Sequence, residues 1–496
     1  MSPAEPHLFD PAPETLAAVG ASLAAAGYTA EGLADALGRR PVATATRANV
    51  YRHRLAKAGE LGTLIRLFRL GDPVALADAE LALGPAAVAA LTDAHILVTH
   101  AAEVEATLQL TPFRGLLFLH DRDEPGEPPT WHVMGIGPGT EGLASLTVGT
   151  PVRTALDVGT GCGVHALLAA SRAGRVVATD VNERALRLTR INAALNGIDN
   201  VETRLGSLFE PVGGERFDLV VSNPPFVVSP ASEIMFRDAG LERDELSRRV
   251  LAGLPHVMES GGHASMLGSW IVDEGAEWSE APRQWLRGSA CDALLFHFTT
   301  DEPLTYAAKY TRDLDRWLAY YDRLGVRGIA TGAVVLRRPG SERFRALQST
   351  GAPRGDGGAH VLRMLDAQER PLPDDDELRG VRFHLVVPHR LDQVAHFRES
   401  AYAVGATMLS LPDGAGVNAL VETDAVHVLP RLDGRTPLGA VLERAARETG
   451  LERWRLEAAA VASVRRLYAL GFVERLGATS PRTSRVARPS RRRHPA

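Results

Sequence analysis

At 496 residues the chain is too long for one ordinary hydrophobic core, so two or three domains are expected. With 45% hydrophobic and 23% charged residues and a net charge of −5, its composition excludes a disordered or fibrous class. Two cysteines argue against a disulfide framework or a thiolate zinc site, and no apolar run approaches the roughly 18 residues of a membrane span, so a cytoplasmic protein with no membrane partner is expected.

The opening MSPAEPHLFDPAPE has neither a basic region nor an apolar core, so export is not expected. Residues 1–100 are rich in Ala and Leu and read as several short helices, a small bundle or a winged-helix-like domain. Thr29 stands where its hydroxyl can cap the helix AEGLADALG, with Glu31 in the first turn. Arg47, Arg52, Arg54 and Lys57 fall near one helical face, which reads as a solvated surface or as a contact for nucleic acid. Over residues 101–150 the pattern turns to strands: 115–120 and 131–134 read as strands, and 135–140 as a glycine-rich stretch. His120 and His132 lack a second ligand at metal spacing and read as core or surface histidines.

Next come a buried strand, 154–158, a tight turn, Gly159-Thr160-Gly161-Cys162-Gly163, and a helix, 164–172. Glycines at alternate positions let the backbone bend sharply and let a ligand approach where a Cβ would collide. A second strand, 175–179, ends in Asp180; an ionised carboxylate only accepts hydrogen bonds and so suits the two hydroxyls of a ribose. The glycine spacing is not G-x-G-x-x-G, so the turn alone does not separate a dinucleotide fold from other nucleoside folds. A helix (183–196), a third strand (200–204), Gly206-Ser207-Leu208-Phe209, a fourth strand (217–221) and Ser222-Asn223-Pro224-Pro225-Phe226 follow.

This order resembles the class I S-adenosylmethionine-dependent methyltransferases, and Asn-Pro-Pro-Phe resembles their amino-methylating branch. GSLFEPVGGERFDLVVSNPPFV is most similar to the release-factor glutamine methyltransferases, with the small-rRNA guanine methyltransferases next. The resemblance implies S-adenosyl-L-methionine as cofactor. Its methionine part would lie on the turn formed by Asp157, Gly159, Gly161 and Gly163, its ribose on Asp180, its adenine beside Ser207 and Leu208, and its methyl group near Asn223. Many relatives carry Asp where Ser207 stands, which leaves backbone contacts for the adenine amino group. Thr140 and Glu141 occupy the segment that closes the pocket in relatives.

The strands continue at 261–269, 292–299 and 328–338, with helices between them and one aromatic, mixed-charge helix in PLTYAAKYTRDLDRWLAYYDRLG. The expected fold is α/β: a Rossmann-like, seven-stranded methyltransferase sheet over residues 151–340, flanked by the N-terminal helical domain and a C-terminal α+β domain, 341–477. In the latter, Leu-Asp-Gly, two helices and Leu-Gly-Phe-Val resemble a winged helix. Residues 478–496 read as a disordered basic tail; removing its six arginines leaves the remainder at −11. It is a solvated tail or a grip on phosphates.

An amide or nucleobase amino nitrogen delocalises its lone pair and resists alkylation. The Asn223 side-chain oxygen and the Pro224 carbonyl can each accept one N–H of a planar NH₂, holding the nitrogen in line for transfer. Pro225 stiffens the turn, and Phe226 offers a flat face worth about 1–3 kcal/mol if a base stacks on it. The expected partner is a methyl acceptor of the translation apparatus. A protein glutamine amide is preferred, a nucleobase of rRNA, tRNA or DNA is the alternative, and a non-catalytic cofactor- or RNA-binding scaffold is a reading of another class. The scaffold would be marked by loss of Asp180 or Asn223, and both are present.

Overall fold

A computed structural model describes residues 5, 7–39, 47–123, 128–230 and 243–476. The basic tail lies outside them. The chain divides into two units, one running to Val361 and taking in Asp413–Val417, the other holding Leu362–Pro412 and continuing from Asn418.

The first unit is built on an α/β sheet of eight strands: β1 Val152–Val158, β2 Ala173–Asp180, β3 Val201–Leu205, β4 Phe217–Ser222, β5 Met258–Val272, β6 Asp292–Asp301, β7 Gly328–Arg337 and β8 Phe344–Gln348. Their spatial order is 8-6-7-5-4-1-2-3. Strands β5, β4, β1, β2 and β3 run parallel, whereas β7 is antiparallel to both β5 and β6. The central strands β1 and β4 bury both faces, which explains their apolar runs in place of alternation. Leu156, Val158, Val220, Val250, Leu254 and Trp270 pack in the core on one side of this sheet. Because β2 and β4 lie on opposite sides of β1, the connections diverge there and open a crevice at the carboxyl ends of the strands.

All seven expected strands are present, and β8 is added. It pairs in parallel with β6 at the edge, and its short, half-exposed run FRALQ sits in a stretch whose glycines and prolines read as a joint. The sheet unit therefore extends past residue 340. Residues 131–134 do not form the expected strand. The Val133 N–H goes to the Asp121 carboxylate (2.8 Å) and the His132 N–H to the Pro129 carbonyl (3.0 Å), so no ladder can form. The aromatic helix is two, Pro303–Ala308 and Leu314–Leu324. Between them the Asp313 N–H donates to the Thr311 hydroxyl (3.0 Å), which breaks the helical ladder, and Asp313 caps the second helix.

Ahead of the sheet, helices Pro13–Ala25, Ala30–Leu37, Arg47–Leu55, Leu76–Leu83 and Pro85–Asp93 accompany a small three-stranded sheet, Val74–Ala75, Glu103–Ala106 and Leu97–His100. Thr29 accepts the Gly32 N–H at 3.0 Å, as its position suggests. Arg52 is committed to Asp72 at 2.6 Å, and so is not a free cation on that face. The second unit sets strand Arg382–Leu385 between Asp433–Pro437 and Val473–Leu476, with helices Leu438–Thr449 and Arg453–Ala469 packed through Leu442, Leu456, Val464 and Phe472. It also carries a long hairpin, Arg390–Arg398 with Ala401–Ser410, that was not expected from the sequence. No described helix is long and apolar enough to cross a membrane.

Candidate functional site

Four turns at the carboxyl ends of β1, β2, β3 and β4 surround a cavity of about 360 Å³. Gly159 (φ 72°) and Gly161 (φ 56°) in the first turn occupy left-handed backbone, and a Cβ on either would meet nothing within 4 Å. Their glycine requirement thus comes from the backbone and leaves bare main chain against the cavity. Two residues of helix Glu183–Leu195 hold the turn from behind: the Thr189 hydroxyl donates to the Gly161 carbonyl (3.0 Å), and the Asn192 amide donates to the Cys162 carbonyl (2.9 Å).

Asp180, ending β2, receives the Gly161 N–H on one oxygen and the Asn182 N–H on the other, both at 2.9 Å. Its enclosed position pushes the carboxyl above the ordinary value, against the pull of these N–H donors. After β3, Gly206 donates its N–H to the Asp180 carbonyl (3.0 Å), and Leu208 sits at φ 49°, a costly geometry for a leucine. After β4, the Ser222 hydroxyl donates to the Val158 carbonyl (2.9 Å), fastening the start of the Asn-Pro-Pro turn to the glycine turn. No described residue hydrogen-bonds the Asn223 side chain, which leaves its amide available at the cavity wall.

Gly159, Gly161, Asp180, Ser207, Leu208, Asn223, Pro224 and Pro225 all line this cavity, and so does Thr140. Four expected positions do not. Gly163 (φ 87°) is left-handed like the other two but faces inward, where a Cβ would come to about 3.0 Å from Leu167 and Thr189, so it does not line the cavity. Glu141 is exposed one residue past Thr140. Phe226 lies outside the lining because Tyr306 and Tyr321 draw the chain away after Pro225: the Val228 N–H reaches the Tyr306 hydroxyl (3.2 Å), and the Tyr321 hydroxyl donates to the Val228 carbonyl (2.7 Å). Asp157 is buried behind the turn, where one oxygen takes the Thr160 hydroxyl (2.7 Å) and the Ala166 N–H (3.0 Å) while Oδ1 has no partner.

Burial raises the Asp157 carboxyl to about 7. Between its unfolded value of 3.8 and 7 the folded chain binds the extra proton, so this group's contribution to stability falls as pH rises across that window. Asp157→Asn is expected to flatten that part of the pH dependence, as read by denaturant unfolding at pH 5 and pH 8. An unchanged slope would assign the proton elsewhere.

The sequence reading missed several lining residues. His132 is buried, 4% exposed, as a core histidine would be, and it also lines the cavity, with Nε2 3.7 Å from Asp123. Met134, Asn182, Leu246 and Arg249 join it, the last two from helix Glu245–Val257. The only available signal for Asn182 was its place as the N-cap two residues after Asp180, where its side chain accepts the Arg184 N–H (3.0 Å). His120 is structural, bonded to the Thr111 hydroxyl (2.9 Å) and the Asp121 carbonyl (2.8 Å). Cys162 and Cys291 are both free and buried, and burial pushes the Cys162 thiol up to about 12, so it is no nucleophile.

A bent, bare main chain, an acid ending the second strand and Asn-Pro-Pro after the fourth thus stand together on one cavity. Residues 132–242 match the family described as methyltransferase small domain, and residues 25–107 match a domain of unknown function, DUF7059. The release factor glutamine methyltransferase of Aliivibrio fischeri is 34% identical over 158 residues, 30% of this chain and 56% of that protein. The ribosomal protein uL3 glutamine methyltransferase of Bradyrhizobium diazoefficiens is 33% identical over 153 residues, 28% and 47% of the two chains. The chain thus spans about half the length of the curated relatives it matches. Among solved structures, Trm5b from Pyrococcus abyssi is similar at 15% identity and a TM-score of 0.30, over 51% of this chain and 67% of that one.

Proposed function

We propose that this chain is an S-adenosylmethionine-dependent N-methyltransferase acting on the side-chain amide of a glutamine in a protein of the translation apparatus. One observation carries the reading: Asp180 and the unengaged amide of Asn223 converge on a single cavity walled by bare glycine backbone. The residues fit the cofactor. The open space beside Gly159 and Gly161 admits a chain against the backbone, Asp180 supplies acceptors for a diol, and Ser207 with Leu208 flanks the seat of a flat ring.

When bound, the cofactor supplies a methyl group on a sulfonium, which needs no activation. The chain's own work is done on the acceptor. Asn223 Oδ1 and the Pro224 carbonyl each take one N–H of the amide, fix its plane and draw electron density onto the nitrogen as it gains the methyl carbon, and the displaced N–H proton passes to water. Pro224 and Pro225 remove two backbone donors that would otherwise compete for those acceptors. Leu246 and Arg249 lie on the helix that closes one side, which limits water at the transfer point.

A glutamine acceptor is supported by the names of the relatives matched over this stretch, which are glutamine methyltransferases. A nucleobase is less well supported, because Phe226, the expected stacking face, does not line the cavity. The reading is tested by incubating the purified chain with methyl-labelled S-adenosylmethionine and cell extract, then digesting with ribonuclease or protease. Label released by protease alone and recovered as methylglutamine is expected; label released by ribonuclease would move the acceptor to RNA.

A further inference from the structure

A second, smaller cavity of about 130 Å³ is lined in part by His165 and Leu168 of helix Val164–Ala170. Its walls are polar and cationic, with Arg114, Thr147, His165, Ser171 and Arg172 among them. Arg114 stands in the turn of the hairpin Leu108–Phe113 with Leu116–Asp121, at φ 49°. Its guanidinium is anchored to the Ala144 carbonyl (3.2 Å), the Ser145 hydroxyl (2.7 Å) and the Gly355 carbonyl (3.2 Å), all neutral partners. The Arg172 side chain has no hydrogen bond or ion pair with any described residue, and its Nε is fully buried without a partner. His165 is 7% exposed, lines both cavities, and also leaves its Nε2 buried and unpartnered.

Such an arrangement is costly when empty. Two guanidiniums share a confined space, and burial disfavours the charged form of each. The Asp356 carboxylate attracts both but pairs with neither; its Oδ1 takes the Ala359 N–H at 3.3 Å. Glu141 acts on Arg114 from the exposed side. Burial holds the His165 imidazole down, to about 4, so near neutral pH the ring is a neutral hydrogen-bonding group. The remaining demand is for a compact acceptor that takes several N–H groups at once from converging directions. A tetrahedral oxyanion meets that demand, and forked guanidiniums suit its oxygens. The cavity exceeds by several times the roughly 30 Å³ share of one water, so a small ion has room in it.

We propose that this cavity is a binding site for a small tetrahedral oxyanion, phosphate or sulfate, either as the free ion or as the terminal group of a small molecule. Arg172 is the principal ligand, Arg114 the fixed second cation, and His165 the neutral partner in the wall shared with the larger cavity.

The test is titration calorimetry of the full chain with sodium phosphate and sodium sulfate, against sodium chloride at matched ionic strength, with S-adenosylhomocysteine present to fill the larger cavity. Saturable binding in the millimolar range or tighter is expected, and Arg172→Met should weaken it about tenfold or more, the loss of one charge-assisted pair. Arg172 holds no described residue in place, so the variant should fold; Arg172→Lys, which keeps the charge without the fork, should fall between the two. Competition by glycerol 3-phosphate would assign the site to a phosphate terminus, and its failure beside retained phosphate binding would assign it to the free ion; either upholds the site. Absence of saturable binding by about 50 mM, equal binding in Arg172→Met, or phosphate binding seen only when S-adenosylhomocysteine is left out would overturn it.

Discussion

Asp180→Ala is expected to weaken S-adenosylmethionine binding by about 1.5–3 kcal/mol, roughly 10- to 150-fold, the range for hydrogen bonds to a charged partner. The substitution removes two things at once. A bound ribose would lose its acceptor and stay desolvated, and the Gly161 and Asn182 N–H groups, each 2.9 Å from the carboxylate, would lose theirs. Asp180→Asn separates these contributions, because its remaining oxygen can still serve one N–H or one hydroxyl; its loss should be the smaller. Both are read by titration calorimetry, with circular dichroism to show that the sheet persists. Unchanged affinity in Asp180→Ala would take the residue out of the site.

The parts of this site that were legible in the sequence are those where one residue type answers one local demand. Gly159 and Gly161 announce left-handed backbone, Asp180 and Asn223 stand at the ends of apolar runs that could only be strands, and a parallel sheet brings strand ends together. What the sequence hid depends on packing between distant segments. His132 faces the cavity because Asp121 captures the neighbouring N–H of Val133 and turns the chain, an event without a local pattern. Phe226 follows the prolines in sequence, but its direction is decided by Tyr306 and Tyr321, far along the chain. Gly163 shares the spacing and the left-handed backbone of the other two glycines, but it faces Leu167 and Thr189 and not the cavity, which spacing does not reveal. The edge strand β8 was hidden for a related reason: a half-exposed strand with one neighbour needs no apolar run to identify it.

Asn223→Ala should leave S-adenosylmethionine affinity within about twofold while kcat falls about 10²- to 10³-fold, the usual cost of losing one preorganised group at a developing charge. The split follows from where the side chain stands. Its amide is bonded to no described residue, so the fold does not depend on it, and the turn itself is held by Pro224, Pro225 and the Ser222 hydroxyl on the Val158 carbonyl at 2.9 Å. Truncation therefore removes an acceptor for the substrate N–H and leaves the cavity intact. Calorimetry gives the affinity, and incorporation of labelled methyl into the same extract gives the turnover. A parallel loss of affinity and rate would mean that Asn223 also holds the cofactor. Near wild-type turnover would make Asn-Pro-Pro-Phe a structural turn and favour a scaffold that binds the cofactor without transferring its methyl group.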